Sequence, residues 1–390
     1  MIEFPAVKPA PLASGRAWAA CLGALGVIAA GTVGLRLWGE WAWSEYVDVR
    51  AEYVATSEAA QEAHEDLTGD LRAAAQALEA AEATLEAGVG FVGEEQLGTL
   101  EEERAAFSSV LEESTSAAGW AAVPIPALED TALLWNVLGE SARLGEASVD
   151  LADDRAHLTA VATTVRTATN ALGIDAVAVI NAAGELGVAE LSRYPSATND
   201  SYRALKSVAQ GAAGLTQLNY RAGDIVADVV AARDAMAASH GEKESAKAGP
   251  LNAVRDEVEA FARSIAGGVR IDFTWQDIVI GHGQGTSAAG TATWDTADDG
   301  YSSVTLTNSI ARHWYQWSGY RNLVAHEVGH SITSKKACYD LYMNGPFGED
   351  NERWATAWAI SMGYTVSAAN GSDLYGAPTA EQISVASGCR

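Results

Sequence analysis

The segment Leu323–Ile332 has the sequence LVAHEVGHSI, which predicts both a buried helix and a metal site. His326 and His330 are four residues apart, so on an α-helix they lie on one face, one turn from each other. Both imidazoles can therefore reach a single metal ion. Glu327 points to the side of that face, where its carboxylate can take a proton from a metal-bound water. The neighbouring residues are mostly apolar, which predicts that this helix is buried.

The same segment has an alternative interpretation as a core helix with two hydrogen-bonded histidines and a surface glutamate. Burying His326, Glu327 and His330 together without a metal or another partner costs on the order of several kcal/mol. The sequence therefore favours the metal site.

A catalytic zinc site usually has three protein ligands and a water, so a third ligand is expected downstream of His330. The residues from Asn351 onward predict the start of a helix, and Ala355, Thr356 and Ala359 give this helix small side chains. Small side chains let two helices approach closely. A carboxylate in the first turn of this helix could then reach the metal.

With these two motifs the sequence resembles the zincin metallopeptidases, and specifically their gluzincin branch. In that branch a glutamate on a following helix, often within E-x-x-A, is the third ligand, and Glu352-Arg353-Trp354-Ala355 matches that motif. The resemblance implies that Glu352 is the third ligand, with Glu349 and Asp350 as alternatives. The metzincin branch is rejected, because the residues after His330 lack the glycine and the third histidine of its motif. The resemblance covers about the last third of the chain.

The resemblance implies a zinc-dependent metallopeptidase that hydrolyses peptide bonds in a protein or peptide substrate. Zn²⁺ would lower the pKa of its water, and Glu327 would act as the general base on this zinc-bound water. A donor for the oxyanion is also expected. Tyr342, Tyr364, Tyr375 and His313 are candidates by residue type, and the sequence does not choose among them.

The predicted fold class is mostly α with a C-terminal α+β domain. Residues 1–16 form a cytoplasmic segment and residues 17–38 a transmembrane helix. Residues 44–267 form a helical bundle or coiled-coil stalk, and residues 268–390 form a zincin-like catalytic domain.

The N-terminal segment at residues 17–38 is apolar, with no charge before Arg36, and about twenty such residues span a bilayer. Basic residues, Lys8 and Arg16, precede the segment, and acidic residues follow it. The positive-inside bias therefore predicts a single-pass cell-membrane protein with its N-terminus in the cytoplasm and its C-terminal domain outside the cell. The alternative is a cleaved signal peptide and a secreted protein.

The middle of the chain is predicted to be helical. Apolar residues recur every seven positions, which indicates a helical seam and possible self-association of the stalk: Val137, Leu144, Leu151, Leu158, Val165 and Leu172. Further helices are expected at residues 200–238 and 251–265, with a polar linker at 239–245. These helices need partners for their apolar faces, which predicts an antiparallel bundle or a coiled-coil stalk.

The C-terminal domain is predicted to begin with a small sheet. Strands are expected within residues 269–280, at 291–294 and at 301–307, and the last two form a hairpin. By its order in the chain, the strand at 302–307 is expected to be the edge strand that binds extended substrate in zincins. A short helix is expected at 380–386.

The cysteines and the net charge indicate the compartment of the protein and exclude some classes of binding partner. Cys338 and Cys389 are expected to form a disulfide in an oxidising compartment. Zinc ligation by these cysteines is the alternative, but no C-x-x-C spacing supports it. The formal net charge of −26 argues against nucleic acid and anionic membrane surfaces as partners of the soluble part.

Two other functions stay open from the sequence alone. The chain could be a helical surface or interaction protein whose zinc domain is structural or degenerate, or it could be a zinc amidase that acts on cell-wall amides. Glu327 favours hydrolysis, because a structural site needs no general base beside its ligands.

Overall fold

The computed structural model describes residues 15–219, 221–295 and 299–390, with side chains described from Gly34 onward. The chain is mostly helical and has a small three-stranded sheet in its C-terminal part. It divides into two compact units. The helical unit comprises the residues up to Leu78 together with Glu103–Leu172, and the C-terminal unit comprises Glu79–Glu102 and Gly173–Arg390.

The helical unit is built from parts of α1 (Gly15–Gly88), α2 (Glu94–Thr115) and α3 (Leu134–Glu190). All the heptad positions predicted on α3 are buried, from Val137 to Leu172. The first of them pack in one cluster with Ala42, Tyr46 and other residues of α1. The helical seam predicted from the seven-residue spacing is therefore confirmed as a buried face.

Helices α1 and α3 run in the same direction. Tyr46, in the first half of α1, shares a buried cluster with Val137 in the first turn of α3. Farther along both helices, Asp70 accepts a hydrogen bond of 2.7 Å from Arg166. Of the two arrangements expected from the sequence, an antiparallel bundle or a coiled-coil stalk, the first is not formed by this pair, because the chain passes back along α1 before α3 begins.

The last part of that passage, which starts beside His64, is made by residues Ser116–Leu133, called the return segment below. It starts with a short 3-10 helix, Ser116–Gly119, and continues without regular structure to Leu133. Hydrogen bonds with side chains of α1 and α3 hold it along its length: Tyr53 Oη to Val123 O at 2.8 Å, Leu128 N to Tyr46 Oη at 2.9 Å, and Trp120 Nε1 to Asp154 Oδ2 at 2.8 Å.

Within the described residues, α3 is long and apolar enough to cross a membrane by length and composition alone. In its most apolar stretch 39% of the residues are buried inside the protein, and core helices of soluble proteins pass the same test. The predicted transmembrane segment at residues 17–38 lies within α1, but its side chains up to residue 33 lie outside the described part of the chain. Its placement in a membrane stays a prediction.

The C-terminal unit contains α4 (Asn199–Ala213), α5 (Ala222–Lys247) and α6 (Asn252–Ile265). The single helix predicted at 200–238 is wrong, since α4 and α5 are separate helices. The linker predicted at 239–245 is also wrong, because it belongs to α5, where Lys243 donates 3.0 Å to Phe273 O and forms an ion pair of 2.6 Å with Asp272. The helix predicted at 251–265 is confirmed as α6.

The predicted division between residues 267 and 268 does not coincide with the division into these two units. Val258 and Ala262 of α6 belong to the same buried core as Phe273 and Val324 farther along the chain. This helix therefore packs as part of the C-terminal unit.

The sheet consists of β1 (Arg270–Gln276), β2 (Gly290–Trp294) and β3 (Tyr301–Thr307) in the order β1-β3-β2. β2 and β3 form the predicted antiparallel hairpin, and β1 pairs with β3 in parallel. The expectation that residues 302–307 form the edge strand is wrong. β3 is central because it pairs on both sides, and β2 is the edge strand beside the helix that carries the HExxH motif.

Six further helices lie among the described residues after the sheet. They are α7 (Asn308–His313), α8 (Gly319–Ile332), α9 (Lys336–Asn344), α10 (Asn351–Ser361), α11 (Ser372–Tyr375) and α12 (Ala380–Ala386). α8 contains the HExxH motif, and the helix predicted at 380–386 is confirmed as α12. Their core is centred on large buried side chains: Trp314, Trp354 and Trp358.

Cys338 and Cys389 lie at disulfide distance, with their Cα atoms 5.6 Å apart. Both side chains are buried, and the indole of Trp358 donates to the carbonyl of Cys389. This pairing joins α9 to the C-terminal end of the chain. The alternative, in which these cysteines bind zinc, is not supported, since the two sulfur atoms are paired with each other.

Removal of this disulfide is expected to destabilise the protein. Because the cysteines are 51 residues apart, the loop-closure estimate for Cys338→Ala/Cys389→Ala is a loss of about 4 kcal/mol in the free energy of unfolding. Urea unfolding with and without a reductant measures this difference. The reductant should lower the midpoint of the native protein and leave that of the double variant unchanged. Equal midpoints for the native protein in both conditions would contradict the disulfide.

Candidate metal centre

The site begins with a close crossing of α8 and α10. A Cβ atom at Gly329 would lie 2.7 Å from the carbonyl oxygen and 2.9 Å from the Cα of Ala355, so only glycine fits at this position. The indole of Trp354 donates a hydrogen bond of 3.0 Å to the carbonyl of Gly329. Ala355, one of the small residues predicted to let these helices approach, is therefore at the crossing. Glu352, in the first turn of α10, is carried to the face of α8 that bears the two histidines.

Three side-chain atoms meet at this face. Glu352 Oε2 lies 2.9 Å from His326 Nε2 and 3.2 Å from His330 Nε2, and the two nitrogens are 3.1 Å apart. Ligand atoms bound tetrahedrally to zinc at about 2.0–2.2 Å are separated by about 3.3 Å. The triangle formed by these atoms thus has nearly the size of one tetrahedral face. His326, His330 and Glu352 could hold a metal ion.

The other nitrogen of His326 is fixed by the main chain. Nδ1 lies 3.0 Å from the carbonyl oxygen of Asn370. Since a carbonyl can only accept, Nδ1 donates. In the neutral ring Nε2 is then the nitrogen that can bind a metal, and in the protonated ring it donates to Glu352. Gly371 follows at φ 93°, and a Cβ atom there would lie 2.9 Å from Nδ1 of His326. Glycine at this position therefore allows the main chain to reach the histidine.

His330 is held differently. Its ring stacks on Trp294 of β2, with the centroids 6.0 Å apart and the planes 17° from parallel. Its buried Nδ1 has Asn351 beside it, and interaction with the side chain of Asn351 contributes to raising the pKa of His330. Burial alone would lower the pKa of His330, but hydrogen bonding to Glu352 and the charges of Glu327 and Glu352 raise it overall.

Glu352 is the charged member of the three residues that could hold a metal ion. Burial alone would raise its pKa, but hydrogen bonds from His326 and His330 hold the pKa of this carboxyl well below its ordinary value. The carboxylate is therefore stabilised as an anion at the point where the histidine nitrogens converge. Two imidazoles and one ionised carboxylate form a donor set that suits a divalent metal.

Glu327 lies beside the ligand set without joining it. Its side chain is buried, and burial raises its pKa with a further contribution from Glu352, while His330 and His326 oppose this rise. A Cβ atom at Gly290 would lie only 2.5 Å from the Cγ of Glu327. The first residue of β2 must therefore be glycine to leave this carboxylate in place.

The ligand set opens onto a cleft of about 440 Å³. Residues 288–292 at β2 and residues 367–369, 371 and 373–375 line this cleft, and most of these side chains are small. Two lining residues are large, apolar and exposed: Ile280 and Leu374, with 67% and 77% of their surfaces exposed. Ile280 has a φ of 43°, which is unfavourable for a β-branched residue.

Some of the site residues predicted from the sequence lie together in the structure, and others do not. His326, Glu327, His330 and Glu352 lie together. The alternative third ligands do not join them. Glu349 is exposed in the turn before α10, and Asp350 caps α10 by accepting a hydrogen bond of 3.0 Å from the main chain of Arg353.

Of the four oxyanion candidates, Tyr375 lines the cleft and stacks on His326 with the centroids 5.9 Å apart. Tyr342 bonds to the carbonyl of Glu349, Tyr364 packs on Phe261, and His313 bonds to the carbonyl of Gly285. None of these three lines the cleft.

Sequence reasoning missed four residues that shape the site: Gly290, Asn370, Gly371 and His282, the last of which also lines the cleft. The Asn-Gly pair at 370–371 is a turn pattern and could have indicated a left-handed glycine. Nothing local indicated that its carbonyl meets His326.

Comparison with known proteins adds no relative. No protein-family model matches the chain, and no curated protein or solved structure is significantly similar to it. The geometry of the described residues is therefore the basis for assigning a function.

Loss of the third ligand is expected to weaken metal binding. Glu352→Ala removes the only anion in the ligand triangle, so zinc affinity should fall by more than the roughly 10- to 100-fold that follows loss of an outer partner. Titration against a competing chelator measures this. Glu349→Ala is the matched control and should bind zinc like the native protein. Equal affinities for the two variants would remove Glu352 from the ligand set.

Proposed function

We propose that this protein is a zinc-dependent metallopeptidase of the zincin type, with His326, His330 and Glu352 as the ligands and Glu327 as the general base. The observation that supports this best is the position of Glu327. It is a buried carboxylate with a raised pKa, beside the ligand triangle and on the same cleft. A site that only stabilised the fold would gain nothing from such a carboxylate.

Zinc is favoured because two histidines and one glutamate form a common ligand set of catalytic zinc. A zinc ion supplies a Lewis acid that lowers the pKa of water toward neutrality and polarises the scissile carbonyl. A structural zinc site is usually closed by four protein ligands. Three ligands beside an accessible cleft therefore support catalysis over a structural site.

The chain's own residues handle the proton. Glu327 accepts it from the attacking water and delivers it to the leaving amine. A carboxylate whose pKa is raised toward the working pH suits both steps, because it must gain and then lose the same proton. Gly290 leaves the space that this side chain occupies.

The substrate is proposed to be an extended peptide that pairs with β2. This strand is at the edge of the sheet, and Gly290, Thr291 and Ala292 line the cleft beside Glu327. An edge strand can bind a peptide through main-chain hydrogen bonds. β2 therefore takes the role that the sequence assigned to residues 302–307, and Ile280 and Leu374 would cover substrate side chains.

Tyr375 is proposed as the donor to the oxyanion. It lines the cleft and stacks on His326. Burial and the charges of Glu352 and Glu327 raise the pKa of its hydroxyl, which keeps the proton available for donation.

The membrane-anchored, extracytoplasmic location is carried as part of this proposal. It is supported by the apolar segment at residues 17–38 and by the paired Cys338 and Cys389, which fit an oxidising compartment.

Replacement of Glu327 is expected to separate metal binding from hydrolysis. Glu327→Gln keeps the shape of the side chain but cannot accept a proton, so turnover of an unfolded protein should fall by about 10²- to 10⁴-fold. Bound zinc should stay at the native level, since Glu327 is outside the ligand triangle. Fluorogenic unfolded protein and chelator titration provide the two readouts.

Glu349→Gln is the control for that experiment, because it makes the same chemical change on an exposed carboxylate nearby and should keep activity. Native activity in Glu327→Gln would contradict the mechanism. Peptidoglycan is assayed in parallel. Cleavage of its cross-links without cleavage of protein would replace the peptidase by a cell-wall amidase.

Tyr375→Phe is expected to lower kcat by about 10²- to 10³-fold, the usual effect of removing one oxyanion donor, with little change in KM. The ring and its stacking on His326 are kept, so the zinc content should not change. Tyr364→Phe removes a hydroxyl outside the cleft and should behave like the native protein. If both variants keep native kcat, Tyr375 is not the donor.

A further inference from the structure

The helical unit has exposed apolar side chains at the end where α1 leaves the predicted membrane segment. Trp38 and Trp41 of α1 are 50% and 54% exposed. At the start of α3, Trp135 is 68% exposed and the adjacent Leu133 is 53% exposed. Large exposed apolar groups of this kind usually mark a contact surface when they cluster.

The packing of the helical unit brings these residues to one level. Leu134 and Trp43 pack against the same buried cluster, which contains Ala42 of α1 and Val137 of α3. Along the parallel pair, Asp70 and Arg166 are bonded at a sequence separation of 96. Because the two helices are parallel, residues 96 apart in sequence lie at the same level along them. Trp135 is therefore level with Gly39, next to Trp38.

The length scale of a bilayer connects this level to the membrane. If the predicted span ends at Trp38, the level of Gly39 to Trp41 lies within about 5 Å of it along the helix axis. The polar region of a bilayer extends about 5–7 Å beyond the hydrocarbon core on each side. Tryptophan is favoured in that region, because its ring is apolar and its N–H can bond to water or lipid.

We propose that Leu133 and Trp135, where the return segment joins α3, insert into the interface of the outer leaflet as a second membrane contact beside the N-terminal helix. This contact rests on the membrane anchor proposed above. Two attachment points on two parallel helices would limit how far the helical unit tilts about α1.

Charge does not drive this contact. The basic side chain near this end, Arg36, forms an ion pair of 3.1 Å with Glu40. Acidic residues, Glu129 and Asp130, precede Leu133 in the return segment. The contact should therefore form on vesicles of phosphatidylcholine alone and should not require anionic lipid.

The experiment uses the full chain reconstituted in phosphatidylcholine vesicles that carry lipids brominated near the headgroup, which quench tryptophans at the interface. Trp135→Phe should lose one quenchable tryptophan from the fluorescence signal. Val149→Trp is the matched control. Val149 is 61% exposed on the same helix, and fourteen residues farther along it lies about 21 Å higher. Its new tryptophan should not be quenched.

Flotation of the vesicles tests the anchor separately. A chain that floats, loses quenching with Trp135→Phe and gains none with Val149→Trp supports the contact. A chain that floats but shows the same quenched signal with and without Trp135 overturns the contact and leaves the anchor intact. Quenching at Val149→Trp would also overturn it, since α3 would then be immersed along its length. A chain that does not float overturns the anchor and the contact together.

Discussion

The candidate metal centre depends on the contact between Gly329 and Ala355. Packed helices usually lie 8–10 Å apart, and the smallest separations require residues without bulky side chains at the contact. Here the backbone of α10 occupies the place where a Cβ of residue 329 would be. The reach of a glutamate from the first turn of α10 is fixed, so any outward shift of that helix would open the 2.9 Å contact between Glu352 and His326. The separation of two helices therefore decides whether two histidines become a three-ligand site.

The same use of glycine recurs around the site, each time to bring a polar group close to main chain. Gly290 leaves room for the carboxylate of Glu327, and Gly371 lets the carbonyl of Asn370 reach His326. Both polar groups are buried, and an unpaired buried polar group is costly. At Gly371 the close approach gives His326 a hydrogen-bond partner, and at Gly290 it leaves the carboxylate of Glu327 space at the cleft. The site thus concentrates two carboxylates and two imidazoles in one small volume, where a bound cation would offset their mutual repulsion.

Features set by local spacing could be predicted from the sequence. The four-residue interval puts His326 and His330 on one helical face, and the seven-residue interval identifies the buried face of α3. Its E-x-x-A motif identifies Glu352, and the small residues beside it indicate that α10 lies close to α8.

Features set by long-range pairing could not be predicted. Whether β2 or β3 lies at the edge depends on where β1 pairs, and the helix over the polar residues 239–245 contacts β1 through Lys243. Among the four candidate oxyanion donors, Tyr375 is distinguished only by the path of the chain after α10, which brings it to the cleft.

Two segments without regular structure lie next to functional surfaces: the loop beside the metal site and the return segment beside the proposed membrane contact. Side chains of neighbouring helices hold both segments by hydrogen bonds to their main chain. In the C-terminal unit, Asn322 of α8 accepts a hydrogen bond of 2.9 Å from the N–H of Val366, and this tether starts the loop that carries Asn370 to His326. In the helical unit, Tyr46 and Tyr53 tether the return segment before it delivers Trp135. Main-chain groups outside regular structure need partners, and here long helices provide them through side chains. The direction of α3 follows from this, since heptad spacing defines a buried face but is equally compatible with parallel and antiparallel neighbours. The bonds along the return segment take the chain back along α1 to Tyr46, and α3 then runs parallel to α1 from that level.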